Sequence, residues 1–125
     1  MIRIRAARVF TGTEMIAPGE LVIEGEAVVG VGAPEEGPGE VVDLGGVTLA
    51  PGYVDVHSHG GGGFSFVEDA LAAAALHRAH GTTSIVASLV TQSIDELDAQ
   101  VRALAPLVDA GELAGIHLEG PWLSP

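Results

Sequence analysis

Three side chains in this sequence have types and spacing suited to chemistry: the histidines of His57-Ser58-His59, and Glu119 of His117-Leu118-Glu119-Gly120-Pro121. Side chains alternate along a strand, so His57 and His59 are expected on one side with Ser58 opposite. Two neutral imidazoles on one face make half of a metal site, and a carboxylate adds a third ligand. A lone His-x-His is about as often a pair of polar loop histidines. Position tips the balance, because active sites of parallel α/β folds gather at the carboxyl ends of strands, where all three residues fall. A bare carboxylate buried there is costly, whereas beside a divalent cation Glu119 stays ionised and can coordinate.

The neighbours of these residues carry weaker signals. By alternation Asp55 shares the face of His57 and is expected to hydrogen-bond a ligand imidazole or help place the metal. His117 points to the Glu119 side, either as a partner of a ligand or, in the preferred reading, as a packed core histidine. His77 and His80 fall on a helix away from the strand ends and read as surface residues. Gly60-Gly61-Gly62-Gly63 is a poor phosphate cradle, since no Gly-Lys-Ser/Thr follows. It reads better as a flexible segment allowing close backbone approach beside the metal, with room for a bulky polar substrate. Trp122, the only tryptophan, reads as a packing residue more than as the rim of a pocket.

Composition narrows the chemistry further. The 125 residues are 47% hydrophobic and 18% charged, which suits one modest domain or a piece of something larger. Seventeen acidic against five basic residues give a net charge of −12, which repels phosphate backbones and anionic lipid, so neither nucleic acid nor a membrane surface is an expected partner. All basic residues are arginines, so there is no lysine for a Schiff base, a phosphate loop or a modified-lysine metal bridge. Cysteine is absent, which removes disulfides, thiolate zinc sites and thiol nucleophiles, and leaves His, Asp and Glu to hold any metal. The N-terminus lacks the apolar run of a signal peptide and no stretch is long enough to span a bilayer, so the expectation is a soluble cytoplasmic protein.

The elements that must position these residues are legible from periodicity. Residues 1–50 read as a small antiparallel β region, with strands near 2–4, 20–24, 27–31, 41–42 and 47–49 separated by Gly and Pro turns. Residues 53–57 read as a strand. Ser65 with Glu68 forms a capping-box pattern opening a helix that includes residues 70–80 and stops at Gly81. Residues 82–89 form a β-branched, apolar strand of the kind buried on both faces. Ser93 with Glu96 caps a second helix, with Ile94, Leu97, Val101, Leu104 and Val108 near a 3.6-residue period. Pro106 is expected to kink or end that helix, with Gly111 closing the connection. A third strand covers 114–119. Strand, helix, strand, helix, strand is the start of a parallel α/β fold, either an open sheet or a (β/α)8 barrel, and a full barrel needs about 250 residues.

Ala50-Pro51-Gly52-Tyr53-Val54-Asp55-Val56-His57-Ser58-His59-Gly60, then Gly81-Thr82-Thr83, then His117-Leu118-Glu119-Gly120-Pro121-Trp122, together resemble the amidohydrolase superfamily and, within it, the N-acetylglucosamine-6-phosphate deacetylase family. The resemblance covers nearly the whole chain and the N-terminal third of a family member. It implies a partial (β/α)8 TIM barrel over 51–125, namely two βα units and a third strand, preceded over 1–50 by part of a small β-sandwich domain. It also implies hydrolysis of N-acetylglucosamine 6-phosphate to glucosamine 6-phosphate and acetate, with Glu119 matching the metal-binding glutamate and His57 and His59 the histidine pair some members use for a second metal. The cofactor implied is a divalent metal, zinc or iron, as one or two ions, and the full-length assembly implied is a homodimer. The family's acid–base aspartate, further histidines and phosphate-binding arginine would lie beyond Pro125, so no catalytic residue is assigned here and little activity is expected of the chain alone. Two alternatives stay open: another amidohydrolase of dihydroorotase-like or deaminase-like type, and a non-catalytic fragment or subunit that folds against a missing piece, as an open sheet edge would invite.

Overall fold

The computed structural model describes residues 1–123, which form a mixed α/β structure of two units, Met1–Pro51 and a second that begins at Gly52. In the first unit β1 (Ile2–Ala6) pairs antiparallel with β4 (Gly19–Glu24), and β4 pairs antiparallel with β5 (Ala27–Gly32) across a turn at Gly25. Residues 33–39 then carry the chain from one edge of this sheet to the other. There β6 (Glu40–Asp43) joins β1 in parallel. A second sheet centres on β2 (Arg8–Phe10), paired antiparallel with β3 (Met15–Ile16) and parallel with β7 (Thr48–Leu49). The region is therefore mixed, not antiparallel as expected from the sequence. The longer connections that lead to β6 and β7 return these strands in the parallel sense.

The arginines of β1 explain part of this topology. Arg3 is buried and grips the Glu20 carboxylate through Nε and Nη2, and Arg5 Nε reaches the same carboxylate at 2.7 Å. Both guanidinium groups also donate to the Glu35 carbonyl, at 3.0 Å and 2.8 Å, tying the crossing segment to the sheet. The hydrogen bonds from Arg3, then those from Arg5, hold the Glu20 carboxyl down at about 2. Ala6 and Val9 are the buried apolar residues here, while Val28, Val29, Val31, Val41 and Val42 are exposed.

In the second unit β11 (Thr82–Leu89) is central, with β8 (Tyr53–Ser58) and β12 (Gly115–Leu118) parallel on either side. A short hairpin of β9 (Gly60–Gly61) and β10 (Phe64–Ser65), then α1 (Phe66–Ala79), connect β8 to β11, and α2 (Ile94–Asp109) connects β11 to β12. Both capping boxes form: Ser65 and Ser93 accept from the backbone N–H of Glu68 and Glu96, whose carboxylates reach back to the cap. These bonds lower the pKa of both glutamates. Gly81 follows α1 at φ +95°, which suits glycine at a helix end. Pro106 does not end α2. The helix runs on to Asp109: the proline lacks an N–H to donate, but its carbonyl still accepts, here from Ala110 at 3.0 Å.

Phe66, Ala70, Ala73 and Ala74 of α1 and Leu97 and Leu104 of α2 pack with Ile85, Ala87 and Leu89 of β11 and with Leu113. Fully burying a side chain such as Phe66 or Leu89 stabilises by about 1.5–3 kcal/mol, and the alanines let α1 lie close. In β11 Ile85, Ala87, Ser88 and Leu89 are buried while Thr83 is exposed, as are Tyr53, Val54 and Val56 of β8. Among the described residues no helix is long and apolar enough to cross a membrane.

Candidate metal centre

The carboxyl end of β11 organises the site. Ser88 pairs in register with His117 and Leu89 with Leu118, and the Leu89 carbonyl accepts from the Glu119 N–H at 3.1 Å, which fixes Glu119 one residue past β12. On the other flank, the Ser88 carbonyl lies 2.9 Å from His59 Nδ1. These bonds bring His57, His59 and Glu119 together. Glu119 Oε1 is 2.9 Å from His57 Nε2 and 3.0 Å from His59 Nε2, and one ligand atom from each of the three lies within 4.8 Å of the other two. The imidazoles meet edge to face, with ring centroids 5.0 Å apart.

The donor set fits a divalent cation. A carbonyl oxygen only accepts, so His59 Nδ1 carries a proton facing Ser88, and a neutral ring in that tautomer turns its Nε2 lone pair toward the carboxylate. A ring nitrogen and a carboxylate oxygen 3.0 Å apart are held together by positive charge between them, which a shared proton or a divalent cation supplies. Ligand atoms about 2.1 Å from a tetrahedral zinc ion stand about 3.4 Å apart, so the observed spacings need only a slight opening. An imidazole whose far nitrogen donates to a backbone carbonyl is the usual state of a metal-ligating histidine.

Four neighbours differ from expectation. Asp55 does not touch a ligand imidazole: its Oδ1 accepts from the His57 backbone N–H at 3.1 Å, and its Oδ2 turns toward His77. The cause is a bulge in β8. Asp55 pairs with Ile85 and Ser58 with Ala87, so three steps on β8 span two on β11 and the alternation changes parity. His117 is exposed rather than packed in the core, its ring tilted against that of His57 at 5.2 Å. Trp122 is 87% exposed and does not pack. His77 is half-buried, not a surface residue, with Nε2 3.0 Å from the Gly60 carbonyl and 3.3 Å from Ser58 Oγ. The stripe Phe66, Ala70, Ala73, Ala74 reaches His77 at helical spacing, a signal that could have found it.

The glycine run is a hairpin, with Gly62 and Gly63 at φ +66° and +90° in the turn. It does allow close backbone approach, but to α1: a Cβ on Gly61 would stand 2.9 Å from His77 Nε2. Beside His59, a cavity of about 330 Å³ between the start of α1 and α2 is lined by Ser88 and Gln100, whose buried Oγ and Oε1 atoms have no hydrogen-bond partner among the described residues.

No family model matches the chain. It is similar to a crystal structure of N-acetyl-D-glucosamine-6-phosphate deacetylase from Mycobacterium smegmatis, with 48% identity and a TM-score of 0.91 over 99% of this chain and 34% of that one. A structure of a mutant of the M. smegmatis enzyme in complex with N-acetyl-D-glucosamine-6-phosphate gives 50% identity and a TM-score of 0.88 over 98% and 33%. Among curated proteins, the N-acetylgalactosamine-6-phosphate deacetylase of Shewanella sp. (strain ANA-3) is 34% identical over 84 residues, covering 62% of this chain and 21% of the relative. The chain spans only about a fifth to a third of the length of these proteins. Over nearly its whole length the chain is homologous to N-acetylglucosamine-6-phosphate deacetylases, the matched part being about a third of those enzymes.

Proposed function

We propose that this chain supplies the metal-holding part of an amide hydrolase that removes the acetyl group from an N-acetylhexosamine 6-phosphate, with N-acetyl-D-glucosamine 6-phosphate as the leading substrate. The observation that carries the reading is the convergence of His57 Nε2 and His59 Nε2 on Glu119 Oε1 at 2.9 Å and 3.0 Å. His57, His59 and Glu119 would hold one or two divalent ions, zinc or iron. An ion so held polarises an amide carbonyl and lowers the pKa of water toward neutrality. Glu119 keeps its charge beside the cation, and the Ser88 carbonyl holds the His59 ring in the tautomer that offers Nε2. The placement of β8, β11 and β12 suits the first strands of a (β/α)8 barrel, with residues 1–50 as part of a β-sandwich. A cytoplasmic homodimer is the expected assembly.

The residues described supply binding more than proton transfer. Asp55 is turned to the His57 N–H and toward His77, and Glu119 faces both imidazoles, so the carrier of the proton to the leaving amine is expected in the part of the relatives that this chain does not span. The 125 residues alone are therefore expected to release little or no acetate. Relatives named for N-acetylgalactosamine 6-phosphate keep the C4 epimer as a competing substrate. The test is metal analysis of the purified chain after loading with zinc or ferrous iron, alongside the His57→Ala/His59→Ala double variant. Stoichiometric metal in the first and none in the second supports the reading, and a chain that retains no divalent metal overturns it.

A further inference from the structure

His77 holds the backbone of the His57-Ser58-His59 half-site from behind. Its Nε2 faces an oxygen that can only accept, the Gly60 carbonyl at 3.0 Å, so Nε2 carries the proton and donates. The Ser58 hydroxyl donates to the same carbonyl at 3.2 Å and lies 3.3 Å from the same ring nitrogen. Gly60 directly follows His59, and the next residue, Gly61, has no side chain where a Cβ would stand 2.9 Å from His77 Nε2 and 3.0 Å from Leu76 Cδ2. The chain thus places a glycine where α1 must approach and a hydrogen-bonding ring at the point of approach. On the far side of the ring Nδ1 is 3.9 Å from Asp55 Oδ2, too far for a hydrogen bond. Asp55 instead secures the other end of the segment through the His57 N–H.

We infer that His77 is a positioning residue for the metal centre, acting through the Gly60 carbonyl and Ser58 to hold His57 and His59 in register with Glu119. This rests on the metal reading of those three residues. Without the ring, the Gly60 carbonyl keeps only the Ser58 hydroxyl, and the segment between the two imidazoles and α1 gains freedom that metal binding must then remove. Glutamine carries an amide N–H at about the reach of His Nε2 and is the conservative replacement, whereas alanine removes the donor.

The test is zinc affinity by competition with a chelating dye, together with the visible absorption of the cobalt(II)-loaded chain, for wild type, His77→Ala, His77→Gln and Gly61→Ala. Replacing a residue that orients a ligand weakens metal binding by about 10–100-fold, so His77→Ala is expected to fall in that range with an altered cobalt spectrum. His77→Gln should recover most of both, and Gly61→Ala, which displaces the ring, should resemble His77→Ala. Far-ultraviolet circular dichroism identifies any variant that loses its fold, and the comparison then rests on the others. Wild-type affinity and spectrum in His77→Ala would overturn the inference, as would equal loss in His77→Ala and His77→Gln. A wild-type chain that binds neither ion overturns the metal reading itself and this inference with it.

Discussion

His59 Nδ1 lies 2.9 Å from the carbonyl oxygen of Ser88, which directs the opposite ring nitrogen at the Glu119 carboxylate. The first consequence concerns that carboxylate. Glu119→Ala is expected to lose metal, and Glu119→Gln, which keeps an oxygen but not the charge, to bind zinc at least about tenfold more weakly, since the anion offsets the ion's charge. Calorimetric titration with zinc measures both, and metal content equal to wild type in Glu119→Ala would remove Glu119 from the site.

Ser88 contributes through its backbone. Its hydroxyl is buried without a partner among the described residues, so Ser88→Ala should leave stability unchanged or raise it by up to about 1 kcal/mol, because an unsatisfied polar group is removed. Zinc affinity should be unchanged, because the carbonyl remains. A urea midpoint well below wild type would show that the hydroxyl has a partner in solution.

Much of this arrangement could be read in the sequence before any coordinates. The capping boxes at Ser65 and Ser93, the strand at 82–89 and the three candidate ligands follow from local chemistry and period. What alternation misplaced is Asp55, because one extra residue in β8 between Asp55 and Ser58 changes the parity of the strand, and a bulge leaves no mark in residue types. His77 differs for another reason: a polar side chain on a helix reads as exposed, yet this one continues the buried stripe of α1. The parallel placement of β6 and β7 was illegible because it depends on which distant strand each one finds.

Acid should weaken the first unit in a defined window. The Glu20 carboxyl is held at about 2, below its ordinary 4.5, by the Arg3 and Arg5 hydrogen bonds. Between those values the unfolded chain binds more protons than the folded one, so stability rises with pH there. The contribution is complete above about 4.5 and is lost as pH falls through about 2. Thermal melts across that range should show a steeper decline for wild type than for Glu20→Gln, whose amide does not titrate. Equal slopes would count against the arginine pair as the cause.

Gly60 tolerates no side chain. It sits at φ +153°, and a Cβ there would stand 2.1 Å from the Phe64 carbonyl oxygen. Backbone strain alone costs about 1–3 kcal/mol, and the collision with a backbone oxygen adds to it. Gly60→Ala should lower the denaturant midpoint and weaken zinc binding together, while Gly63→Ala, with open space around it, should bear the backbone strain alone.

Consecutive peptide groups at the end of β11 serve opposite arms of the centre, the Ser88 carbonyl steadying His59 and the Leu89 carbonyl the Glu119 backbone. Both arms are thereby measured against one ruler. Heat or denaturant that frays this strand end should release imidazole and carboxylate in a single event, so metal loss and unfolding of the second unit are expected to share one midpoint.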